Sequence, residues 1–101
     1  MKNIIFIDAC MRAGSRTKRI AERIIEELSG RYRIETIRLG EAEYPVVDNR
    51  ILEERNNGTV PKAHAELAGR IAAADRIVIA APFWDMSFPS ALKVFFENMS
   101  L

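Results

Sequence analysis

The chain has 101 residues, 49% hydrophobic and 29% charged, with a formal net charge of +1. That is the composition of one ordinary globular domain and excludes a disordered segment or a protein built to coat a polyanion such as nucleic acid. A single cysteine, Cys10, and a single histidine, His64, exclude a disulfide framework and leave no cluster spaced like a zinc or haem site.

Met1-Lys2-Asn3 leads straight into four apolar residues, Ile4 to Ile7. These are too few for a signal-peptide core and far short of the roughly 20 residues of a membrane span. The expectation is a cytoplasmic protein with neither membrane nor nucleic acid as partner. Residues 3 to 9 read as a strand. In the helix that follows, Ile20, Ala21, Ile24, Ile25 and Leu28 form an apolar face, and Ser29-Gly30 marks its end.

Charge order in that helix is reversed. Lys18, Arg19 and Arg23 crowd its start, with Arg12 and Arg16 nearby, whereas Glu22, Glu26 and Glu27 lie toward its end. Cations beside the partial positive charge of a helix N-terminus each cost roughly 0.3 to 1 kcal/mol. A bound anion reverses that sign, and Ser15 and Thr17 add hydroxyls, so the simplest resident is a phosphate at the junction of the first strand and its helix. The plainer account makes Ser15 or Thr17 an N-cap and the basic residues a solvated face.

A second strand, about residues 33 to 39, alternates in polarity, as an edge strand does. Residues 40 to 60 form a long excursion with a turn at Asn57-Gly58 and a short helical piece near residues 50 to 55. Pro61 suits the first turn of the next helix, with Thr59 as its cap and Leu67, Ile71 and Ala74 on its buried face. His64 reads as an exposed residue of that helix, and Tyr44-Pro45 as a loop turn. Residues 76 to 81 form a third strand, apolar on both faces, and Pro89 starts a last helix with Leu92, Phe95, Phe96 and Met99 at helical spacing.

Strand alternating with helix predicts a parallel α/β sheet. The polar second strand belongs outside, giving the order 2-1-3, and a ligand site at the switch point between strands one and three. Loops 9 to 17 and 82 to 88 meet there. The order leaves an apolar third strand at an edge, so further strands are expected to cover it, from a partner chain or from a longer form of this one.

Neither G-x-G-x-x-G nor G-x-x-x-x-G-K-[ST] follows the first strand; only Gly14 is present. The run Cys10-Met11-Arg12-Ala13-Gly14-Ser15-Arg16-Thr17, together with Ala80-Ala81-Pro82-Phe83-Trp84-Asp85-Met86-Ser87-Phe88-Pro89-Ser90-Ala91-Leu92-Lys93, resembles the FMN-dependent NAD(P)H:quinone oxidoreductases and azoreductases. The resemblance implies residues 1–101 as a single flavodoxin-like domain, the N-terminal portion of a longer fold whose last strands are absent. It implies FMN as cofactor, its phosphate held by Arg12, Ser15, Arg16 and Thr17 with Cys10 nearby, and its ring lying along Pro82, Phe83, Trp84, Asp85 and Met86. Asp85 stands where the family usually has Asn. The activity implied is transfer of two electrons as hydride from NAD(P)H through the flavin to a quinone or azo acceptor, in a homodimer. Two other classes compete: a flavodoxin-type electron carrier, which the net charge disfavours, and a flavin-free or inactive fragment serving as an interaction module.

Overall fold

A computed structural model of the chain describes residues 2–10, 15–41, 44–81 and 90–100. The elements are β1 (Lys2–Asp8), α1 (Arg16–Leu28), β2 (Tyr32–Arg38), a 3-10 turn (Leu39–Glu41), α2 (Asn49–Asn56), α3 (Lys62–Ala73), β3 (Arg76–Ala80) and α4 (Ser90–Ser100). Both strand pairings are parallel, and the order is β2-β1-β3, as the polarity of the strands predicts. Ile5 lies beside Glu35 on β2 and Ile77 on β3, while Asp8 lies beside Arg38 and Ala80.

β1 serves two cores, and this explains why Ile4 to Ile7 contains no polar residue. On one face Ile5, Ile7 and Ala9 pack with Ile37 and Leu39, Leu67 of α3, and Leu92 and Phe95 of α4. On the other, Phe6, Cys10 and Ala80 pack with Ala21 of α1, and Ile25, Ile34 and Val78 close the margin. Each fully buried Ile, Leu or Phe contributes about 1.5–3 kcal/mol.

The chain is fastened at the junctions as well. At the amino end of the sheet the Asn3 amide donates to the Asp75 carboxylate at 2.7 Å, and the Asp75 amide donates back to the Asn3 carbonyl at 3.0 Å. Ser15 caps α1, its hydroxyl oxygen accepting the Lys18 amide at 3.2 Å, and Asp48 caps α2 by accepting the Ile51 amide at 3.0 Å. Gly58 has φ +80 in the turn that ends α2, a conformation glycine takes without steric cost.

Several local expectations are corrected by packing. Ala21 is buried and Ile25 and Leu28 are half-buried, but Ile20 and Ile24 are 62% and 48% exposed. The face α1 turns to the sheet is therefore narrower than its apolar pattern. Thr59 does not cap α3; its amide donates to Glu54 in the turn after α2, and Pro61 occupies the cap position without a side-chain hydrogen bond. His64 is half-buried, its ring 5.3 Å from that of Tyr44, which meets Phe95 edge-on at 5.1 Å. On β3, Ile77 and Ile79 are 46% and 43% exposed, because among the described residues that strand pairs only with β1.

Candidate functional site

The carboxyl ends of β1 and β3 lie side by side, and β1 has a neighbour on each flank, so the switch point of the sheet falls there. The carbonyl of Ala80, the last residue of β3, accepts the Ala9 amide at 2.8 Å and lies 3.7 Å from the Cys10 thiol, which donates to it. The chain leaving β1 is thus held against the end of β3 before it turns into α1.

Of the residues expected to form the site, the structure describes Cys10, Ser15, Arg16 and Thr17. Arg12, Pro82, Phe83, Trp84, Asp85 and Met86 lie outside the described residues. Cys10 is buried, and burial is the main cause that pushes its thiol pKa up; the Ser15 hydroxyl opposes the shift and the Asp8 carboxylate adds to it. A thiol so placed is a packing residue and not a poised nucleophile.

Ser15 and Thr17 are half-buried at the start of α1, whereas Arg16 is exposed. Arg16, Arg19, Ile20 and Arg23 line a shallow outer depression of about 420 Å³. α1 carries no acidic residue in its first turn and no basic residue in its last, so the reversed charge order read from the sequence is a property of the folded helix.

Asp8, which the sequence reading left without a role, and Lys18, which it counted only among the cations of the helix start, also meet here. Asp8 follows Phe6 on the α1 face of β1, as the two-residue alternation of a strand requires, and is only 3% exposed. One oxygen of its carboxylate accepts the Cys10 amide at 3.0 Å, and the other is 3.7 Å from the Lys18 ammonium. The sequence did hold a signal for them: a charged residue on a strand face otherwise filled by Ile4 and Phe6 must find a partner, because a buried lone charge is costly.

Donor chemistry at the start of α1 fits a phosphate. The first N–H groups of any helix lack intrahelical acceptors. Ser15 takes one of them, the Lys18 amide, on its hydroxyl, while its carbonyl accepts the Arg19 amide in the first helical bond, and among the described residues the Arg16 and Thr17 amides have no acceptor. These amides, the Thr17 hydroxyl and the Arg16 guanidinium together make an anion-binding set. No group of three or more His, Cys, Asp or Glu residues among those described could hold a metal ion, and no described helix is long and apolar enough to cross a membrane.

Comparison with known proteins agrees with this architecture. Residues 2–100 match a family described as having a flavodoxin-like fold. Among solved structures, an azoreductase from Bacillus anthracis str. Sterne is similar with a TM-score of 0.82 at 16% identity, over 99% of this chain and 56% of that one. An NAD(P)H:quinone oxidoreductase from Methanothermobacter marburgensis gives a TM-score of 0.80 at 21% identity, over 97% and 53%. An FMN-dependent NADH-azoreductase from Bacillus anthracis str. Ames Ancestor, in complex with FMN, gives 0.80 at 20% identity, over 99% and 56%. The chain therefore spans little more than half the length of the structures it resembles. Curated proteins give no match to the sequence. Sheet order, the two-sided core around β1 and the family match agree: the chain belongs to the family with the flavodoxin-like fold.

Proposed function

We propose that the chain binds FMN at the carboxyl ends of β1 and β3 and serves an NAD(P)H-dependent oxidoreductase whose acceptor is a quinone or azo compound. The observation that carries this reading is the start of α1, where two amides without a described acceptor and a half-buried Thr17 stand beside Arg16 in a first turn that has no acidic residue. The same kind of chemistry is named for the solved structures of like fold, one of them with FMN bound.

In this reading Arg12, Ser15, Arg16 and Thr17 hold the phosphate, the Cys10 backbone borders it, and Pro82, Phe83, Trp84, Asp85 and Met86 line the ring. FMN, when bound, supplies two-electron redox chemistry between a reduced nicotinamide and the acceptor. The chain's own task is to grip the anion, to fix the ring by contacts from residues 82 to 86, and to keep water away from it. A homo-oligomer is part of the proposal: β3 keeps a free edge among the described residues, with Ile77 and Ile79 exposed beside it, and such an edge is stabilised by a further strand.

Titrating FMN with the purified chain tests the proposal. Quenching of the FMN fluorescence, with a visible flavin absorption spectrum retained by the protein after gel filtration, is the expected result. A colourless protein that leaves FMN fluorescence unchanged at high concentration overturns it.

A further inference from the structure

Nothing in the resemblance or in the comparisons assigns a role to Asp8 or Lys18. We propose that these two residues form a charge-balancing pair that sets how strongly the β1–α1 junction prefers a phosphate-bearing ligand; the proposal rests on the reading of that junction as the FMN phosphate site.

Asp8 is almost fully buried at the last position of β1. Its two oxygens have different work. Oδ1 takes the Cys10 amide at 3.0 Å and so holds the backbone just past the strand. Oδ2 has the Lys18 ammonium at 3.7 Å, beyond good hydrogen-bond length but within reach of strong attraction. The Lys18 side chain is 27% exposed, so its ammonium keeps access to solvent beside the first turn of α1.

Lys18 stands at the third position of α1, and its own amide is already committed to Ser15. Its ammonium has three donors, so beside the Asp8 carboxylate it would keep donors for a phosphate held at the first turn of α1. The carboxylate draws Lys18 away from the phosphate and repels the phosphate directly. Lys18 in turn offsets a buried negative charge that otherwise opposes any anion at this junction. The pair thus trims the attraction that the Arg16 guanidinium and the Arg16 and Thr17 amides exert, and each member changes it in the opposite direction.

Opposite signs give a test that a purely structural role does not pass. Asp8→Asn keeps the carbonyl oxygen that accepts the Cys10 amide and removes the charge, while its amide group releases Lys18. The ratio of FMN to riboflavin affinity, read by fluorescence titration at low salt, is expected to rise on the order of tenfold in D8N and to fall by a similar factor in Lys18→Met. Riboflavin affinity stays unchanged in both, and the differences shrink as salt is added. Should K18M not fold, because it strips the buried Asp8 carboxylate of its countercharge, D8N carries the test alone, since Lys18 keeps its access to solvent. Equal losses of FMN and riboflavin binding, or an unchanged ratio, overturn the proposal while leaving the phosphate site in place. A parent chain that binds FMN and riboflavin alike overturns the phosphate site itself and this proposal with it.

Discussion

The Cys10 thiol lies 3.7 Å from the carbonyl oxygen of Ala80 and donates to it, 70 residues apart in sequence. With the Ala9 amide on the same carbonyl at 2.8 Å, this contact ties the exit of β1 to the exit of β3. Both loops that the sequence marks as functional therefore begin from one fixed point. A site at the switch point needs such a fixed origin, because loop residues hold a ligand only as well as the strands that carry them.

Burial raises the Cys10 thiol pKa, so little thiolate forms at neutral pH. Alkylation by iodoacetamide at pH 7.5 is expected to be much slower in the folded chain than in the same chain in urea. Equal rates in the two states contradict the placement of Cys10. Because the unfolded thiol ionises first as pH rises past 9.0, this group also takes stability from the fold above that pH.

Replacing Ser15 by Ala removes the acceptor for the Lys18 amide. The expected loss is about 1 kcal/mol of unfolding free energy, read from urea denaturation. No loss at all shows that another group caps α1.

Phe95 is fully buried, packs with Leu67 and Leu92, and meets the Tyr44 ring edge-on. Phe95→Ala is expected to cost about 3–5 kcal/mol, a large share of what a domain of this size possesses. Phe96→Ala, one position along on the exposed side of α4, serves as the control and is expected to cost far less. Equal losses place the helix with a different face inward.

His64 has a pKa lowered from its ordinary 6.5, first by burial and then by the Arg55 guanidinium. As pH falls below 6.5 the unfolded chain takes up a proton before the folded chain does, so stability falls with acidification through that window. Its Nδ1 is buried without a hydrogen-bond partner among the described residues, which removes the usual compensation for charging the ring. In His64→Leu the slope of stability against pH between 6.5 and 5 is expected to be shallower than in the parent. An unchanged slope assigns the acid sensitivity to other groups.

Period and polarity were enough to read the parallel order, because a strand apolar on both faces and a strand of alternating polarity have different places in a sheet. The same reasoning misplaced individual side chains. Ile20 and Ile24 belong to the apolar arc of α1 yet lie outside the contact, since the width of a helix's buried face is set by what packs against it and not by its own pattern. His64 lies against Tyr44, a loop residue that itself meets Phe95 of α4, partners that no local window contains. At the candidate site, motif reading named Ser15 and the cations but gave no part to Asp8, whose charged partner, Lys18, lies ten residues on in sequence. Thr59 was drawn into the turn after α2 by hydrogen bonds to Glu54 and Arg55, a competition between two adjacent helix ends.

Charge reversal at Arg16 tests the central claim most directly, because this side chain is exposed on the fold and the proposed function assigns it to the phosphate. In Arg16→Glu the affinity for FMN is expected to drop on the order of tenfold or more while that for riboflavin, which lacks the phosphate, stays where it was. Equal loss for both flavins, or no loss for either, contradicts a phosphate site at the start of α1.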